Sequence, residues 1–185
     1  EIRADKLIGQ NDFVYPMGSI IAFDFAERGP GMPAMTINWY DGKNNQPPRP
    51  VEFPESMEVP KTGKIIYSDE LTFTGGTHAD MLEIVPTEKA KEIENKLPEL
   101  PESDTARDHM INFLRAASGQ DPRCNSSFEI AAPLTQVFML GCIAQRLGGT
   151  LEFDKQKKEI TNNERANQLL KGNTPRKGWE EFYRL

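Results

Sequence analysis

Five prolines, Pro47, Pro48, Pro50, Pro54 and Pro60, fall within residues 44–64. Each lacks a backbone donor and has its φ locked, so neither a helix nor a central strand persists through this interval. The chain must make its regular structure on either side of a long surface excursion. Before it, residues 18–25 alternate, with Ile21, Phe23 and Phe25 on one face and Ile20, Ala22 and Asp24 on the other. Residues 34–40 set Met35, Ile37 and Trp39 opposite Thr36, Asn38 and Tyr40. Arg28-Gly29-Pro30-Gly31 between them is a turn, which predicts an antiparallel pair. After the prolines, strands are expected at residues 64–68, 71–74 and 81–85, then a short helix from Pro86 stopped by Pro98 and Pro101.

Two further helices follow. Residues 104–118 place Ala106, Met110, Phe113, Leu114 and Ala117 on one stripe, with Thr105 and Asp108 spaced as a capping box, and that stripe is expected to pack on the sheet. Over residues 132–147 the apolar set wraps nearly all round, which predicts a helix buried on most sides; Pro133 is tolerated in its first turn. A late hairpin is expected from residues 151–153 and 159–161, and a short helix over 163–171. Strands first and helices later predict an α+β fold: a largely antiparallel open β-sheet with helices packed on one face.

Several function classes are disfavoured. A net charge of -6 opposes binding to phosphate backbones or anionic lipid, so neither nucleic acid nor membrane is expected as a partner. The apolar run over residues 20–25 is broken by Asp24 and far too short to span a bilayer, no leader pattern precedes the strands, and a soluble chain is expected. Two cysteines permit one bridge at most, and Cys142 in its apolar helix reads as a buried reduced thiol. Two histidines and two cysteines without Cys-x-x-Cys or His-x-x-x-His spacing make no zinc site. The pairs Asp69/Glu70 and Glu152/Asp154 flank strands or turns and read as solvated charges. His109, beside an apolar stripe, reads as a partly buried structural histidine. The glycine pairs Gly29/Gly31, Gly75/Gly76 and Gly148/Gly149 do not continue into a Gly-x-Gly-x-x-Gly turn, so no cofactor-binding residue is expected in this chain.

An ordered series of short motifs runs along the chain: Phe23-Asp24-Phe25, Arg28-Gly29, Trp39-Tyr40-Asp41-Gly42, Pro47-Pro48-Arg49-Pro50 and Gly76-Thr77, then Ser127-Phe128-Glu129, Ala131-Ala132-Pro133-Leu134-Thr135, Leu140-Gly141, Ile143-Ala144, Leu151-Glu152-Phe153-Asp154 and Lys177-Gly178-Trp179. This series resembles the bacterial-type C-terminal domain of the glucose-fructose oxidoreductase, inositol dehydrogenase and rhizopine-catabolism (Gfo/Idh/MocA) superfamily. The Glu-Lys-Pro and Asp-x-x-x-His motifs of those enzymes do not occur here, and His78 departs from the commoner pattern. The resemblance implies that residues 1–185 are one C-terminal, substrate-side and oligomerisation domain of a longer NAD(P)-dependent oxidoreductase acting on a sugar, sugar acid or cyclitol. Its NAD or NADP would sit on an N-terminal Rossmann domain absent from this chain, and hydride would pass between the substrate carbinol carbon and the nicotinamide. The fragment alone would not turn over. It further implies a homo-oligomer formed through the open face of the sheet.

Six residues are candidates for substrate contact. Trp39, Tyr40 and Asp41 join aromatic rings to an acceptor, which suits the hydroxyl-bearing, apolar-faced surface of a small carbohydrate; packing or subunit contact is the other reading. His78 lies in a glycine-flanked loop near Asp80, where an imidazole either lines a pocket or is simply solvated. Arg28 and Arg176, like Arg49 and Lys177, either meet a substrate phosphate or carboxylate or are solvated loop cations. The alternative function is a non-catalytic carbohydrate-binding or scaffold module derived from the same domain.

Overall fold

The computed structural model describes residues 1–77, 80–96 and 106–183. In chain order these form β1 (Ile2–Ile8), β2 (Gly18–Phe25), β3 (Met35–Gly42), β4 (Lys64–Tyr67), β5 (Thr72–Gly75), β6 (Glu83–Val85), α1 (Thr87–Ile93), α2 (Ala106–Ala117), α3 (Phe128–Leu147), β7 (Gly149–Leu151), β8 (Phe153–Asp154), β9 (Glu159–Ile160) and α4 (Glu164–Lys171). The fold is α+β with antiparallel sheets. Contacts group the chain into two compact units, Glu1–Asn45 with Ser126–Leu185, and Gln46–Asn125.

The first unit carries a four-stranded sheet of order β3-β2-β1-β7. Its alternation follows from the strand period of two: Ile21 opposes Trp39, Phe23 opposes Ile37 and Phe25 opposes Met35, all on one face. The C-terminal half of α3 lies on that face, and Ile2, Ile21, Phe23, Leu140, Ile143, Ala144, Leu151, Ile160 and Ala166 form one buried core. Each of the Ile, Leu and Phe side chains removed from water stabilises the fold by about 1.5–3 kcal/mol. Helix and sheet approach closely because position 141 is glycine: a Cβ there would lie 2.7 Å from Phe23 Cζ. Gly148, at φ 74°, ends α3 by donating its N–H to Ala144 O, and the chain turns at once into β7. The β8–β9 hairpin and α4, whose N-cap is Asn163, complete this unit.

β1 has no counterpart in the sequence reading. A register shift between Ala4 and Lys6 moves the inward face from Ile2 and Ala4 to Leu7, which breaks the alternation that would otherwise mark a strand. The uncovered face of the sheet carries Arg3, Lys6, Asp24, Thr36, Asn38 and Tyr40 around Ile20 and Ala22. Thr36 donates to Asp24 at 2.6 Å, and Arg3 pairs with Asp24, Glu1 and Asp5. The hydrogen bond to Glu1 is the main cause holding the Arg3 guanidinium above its ordinary pKa; partial desolvation opposes it, and the charges of Asp24 and Asp5 add to it.

The expectation for the long helix needs correction. α3 begins at Phe128, four residues earlier than its pattern suggests, and is buried only at Leu140, Gly141, Ile143 and Ala144. Phe128, Ile130, Leu134, Phe138 and Met139 are exposed, because only the last turns rest on the sheet. By length and composition α3 could cross a bilayer; here its last turns pack against strands.

The second unit contains the sheet β4-β5-β6, with Ile66 opposite Phe73 and Phe73 opposite Ile84. Thr72, Thr74 and Val85 are buried, as is Phe53 from the proline-rich segment. That segment is held by Arg49, whose guanidinium donates to the carbonyls of Phe53 (2.7 Å), Pro54 (2.6 Å) and Met57 (3.3 Å). The stripe of α2 that was expected to pack is open to solvent at Met110, Phe113 and Leu114, and His109 beside it is exposed rather than partly buried. Thr105 of the expected capping box lies outside the described residues.

Candidate functional site

The strand β3 distributes its three candidates between two faces, as the strand period requires. Trp39 points to the α3 side, where its ring meets Phe138 edge-on at 6.3 Å and 83°. Tyr40 takes the uncovered face opposite Ile20. Asp41 returns to the α3 side and enters a polar cluster: its carboxylate accepts from the Ser19 N–H at 3.0 Å and from Gln145 Nε2 at 3.0 Å, while the same Gln145 amide donates to Ser19 Oγ at 2.8 Å. Asn45 closes the cluster beneath, donating to the carbonyls of Ser19 and Asp41 at 2.8 Å each and accepting from Lys6 at 3.2 Å. Ser19 and Asn45 are buried, so these bonds replace the water their polar atoms lose. The cluster fastens α3 to the end of the β2–β3 pair.

The remaining candidates do not join them. Arg28 is exposed in the β2–β3 turn, with Nη2 3.5 Å from Met35 Sδ. Met35 and Asp41 stand at opposite ends of β3, on the order of 20 Å apart at the rise of an extended strand, so Arg28 and Asp41 cannot grip one small ligand. Arg176 is exposed in a turn whose carbonyl accepts from Trp179 N–H, ahead of the Trp179–Phe182 ring pair at 5.5 Å. His78 lies outside the described residues. Cys124 and Cys142 are both free thiols, each half-buried. No group of three or more metal-ligating side chains is assembled among the described residues.

A concave site missed by the sequence reading lies within the second unit. A cleft of about 370 Å3 is lined by Met57, Pro60, Thr74, Asp80, Met81 and Glu83 around the Gly75-Gly76 backbone. It is a half-open depression, with apolar walls from Met57, Pro60 and Met81 and two carboxylates able to accept from hydroxyls. Lys64 reaches its rim, donating to Gly76 O at 3.0 Å. The residues come from the proline-rich segment, β5, β6 and the segment between those two strands, and only their convergence makes the cleft. Asp80, noted beside the glycine pair, was the single signal of it.

The three glycine pairs take different places in the fold. Gly29/Gly31 turn between antiparallel strands, Gly75/Gly76 end β5, and Gly148/Gly149 lead from a helix into a strand, the reverse of the strand-to-helix order that cradles a pyrophosphate. None fits the group. Comparison of the chain with family models, with curated proteins and with solved structures gives no match.

Proposed function

We propose that this chain is the substrate-side half of an NAD(P)-dependent oxidoreductase of the Gfo/Idh/MocA kind, acting on a sugar, sugar acid or cyclitol. One observation carries the reading. Residues quoted for the resemblance, Phe23, Leu140, Gly141, Ile143, Ala144 and Leu151, come from three elements and meet in a single core. Other apolar residues of the same motifs, Trp39, Phe128, Leu134 and Trp179, stay exposed. On this reading the nicotinamide would sit on a separate nucleotide-binding domain.

The cleft beside Asp80 and Glu83 supports a second reading, a module that holds carbohydrate without chemistry. Two measurements separate them. Calorimetry of residues 1–185 against NAD, NADP and a panel of hexoses, sugar acids and inositols is expected to show no dinucleotide binding. The protein encoded by the whole reading frame is expected to reduce NAD or NADP with one of those polyols. Tight dinucleotide binding to residues 1–185 sinks the first reading. Carbohydrate binding by a full-length protein that has no strand-glycine-helix unit and no turnover establishes the second.

A further inference from the structure

β3 is the outermost strand of its sheet, with β2 on one side and no described strand on the other. The direction of its free backbone groups can be worked out. Asp24 donates its N–H to Glu1 O at 2.9 Å and accepts from the Glu1 amino group at 3.2 Å, so the Asp24 backbone faces β1. By alternation Phe25, Phe23 and Ile21 turn their groups toward β3, where Met35, Ile37 and Trp39 answer them. The N–H and C=O of Thr36, Asn38 and Tyr40 therefore point outward from the sheet.

Such an edge is a template for another strand, and proteins usually blunt it with lysine, proline or a bulge. Between Met35 and Tyr40 there is no charge and no proline, and the register with β2 is unbroken. The side chains add to the backbone. Met35, Ile37 and Trp39 are 42%, 43% and 49% exposed, and on the same face Phe138 packs against Trp39 with Leu134 one turn earlier on α3. Together they leave on the order of 500 Å2 of largely apolar surface in contact with water, the size of the largest patch on a typical monomer, which is often a functional one.

We propose that β3 pairs antiparallel with β3 of a second copy about a two-fold axis through Asn38, joining two four-stranded sheets into one of eight. An antiparallel edge is complementary to itself, so the axis sets Asn38 opposite Asn38, Thr36 opposite Tyr40 and Ile37 opposite Trp39. An axis perpendicular to the sheet keeps both α3 helices on one side, where the two Trp39–Phe138 patches adjoin. A foreign strand would satisfy the backbone alone. A second copy also covers the apolar patch with an identical one, and the roughly 500 Å2 of apolar area plus the strand backbone approaches the about 800 Å2 per partner of a specific interface. This contact differs from the uncovered sheet face that the family resemblance implies, and it stands or falls independently of the proposed chemistry.

The test is sedimentation of residues 1–185 over micromolar to high micromolar concentration, together with Ile37→Lys and Asn38→Pro. The first places a charge in the apolar seam; the second removes an outward donor that β2 does not use. A dimer is expected for the parent chain, weakened roughly tenfold or more in each variant, the effect of a buried unpaired charge or a lost edge bond. Asn38→Cys, in a chain with Cys124→Ser and Cys142→Ser, is expected to cross-link two copies under mild oxidation, since directly bonded antiparallel partners lie about 5.5 Å apart at Cα. That cross-link decides the matter if the other variants fail to fold. A parent chain that stays monomeric, or a dimer unaffected by both substitutions and without the cross-link, overturns the proposal.

Discussion

Gln145 in α3 donates its side-chain amide to Asp41 at the end of β3, 3.0 Å away across 104 residues of chain. The same amide holds Ser19, and Asp41 in turn holds the Ser19 N–H. Asp41→Ala strips one acceptor from two donors, one of them on a buried residue, and is expected to cost about 1–3 kcal/mol. Urea denaturation of Asp41→Ala, Gln145→Ala and the double variant should show losses that are smaller together than their sum. Full additivity would mean the two side chains do not act as a unit.

Gly141→Ala should destabilise the first unit by about 1–3 kcal/mol, the usual cost of overpacking a filled core. The added methyl would meet the Phe23 ring at 2.7 Å and 3.1 Å. Phe23→Leu in the same chain should recover part of that loss. A neutral Gly141→Ala variant would show that α3 does not rest on β2 as closely as described.

Asn163 caps α4 by accepting the Ala166 N–H at 3.0 Å. Asn163→Ala leaves that donor without its partner and is expected to cost about 0.5–2 kcal/mol. Asn163→Asp retains an acceptor at the positive end of the helix and should cost little. Thermal unfolding followed by circular dichroism distinguishes the two.

Asp154 accepts backbone N–H groups from Lys157 and Gln156, both at 2.9 Å, in the β8–β9 turn. The bond from Lys157 is the main cause lowering its pKa; partial desolvation opposes it, and the Gln156 bond and the Lys157 charge add to it. A carboxyl depressed in the folded state binds its proton more weakly there than in the unfolded chain. Its contribution is therefore present above the unfolded value, about 4, and is lost as pH falls through the folded one. The Tm of the parent chain should exceed that of Asp154→Asn at pH 6, and the gap should narrow by pH 3. A gap that is constant with pH would remove the carboxylate from the account.

Alternation made β2 and β3 legible, down to which side chains share a face, because both strands are uninterrupted. β1 was not legible, since the bulge near Asp5 changes the inward phase midway and charged Arg3, Asp5 and Lys6 dominate what remains. The long helix was recognisable, but its burial was not: an apolar surface all round states what a helix could bury, and only neighbours decide what it does bury. The site suffered from a similar limit. Trp39, Tyr40 and Asp41 are adjacent in sequence, yet adjacency in a strand separates side chains onto opposite faces. The partner that occupies Asp41 comes from α3, and the walls of the cleft come from residues 57–83 brought together by β4, β5 and β6. Neither convergence leaves a local signature.

The first unit is interrupted between Asn45 and Ser126, and its sheet closes only when Leu151 reaches Ile2. A ribosome adding roughly 5–20 residues per second leaves an interval of roughly five to twenty seconds between the emergence of β3 and that of α3. Throughout it Ile21 and Phe23 have no lid. The nascent meander is thus a half-layer whose greasy side stays bare until the rest of the polypeptide arrives, the kind of transient exposure that favours aggregation during synthesis.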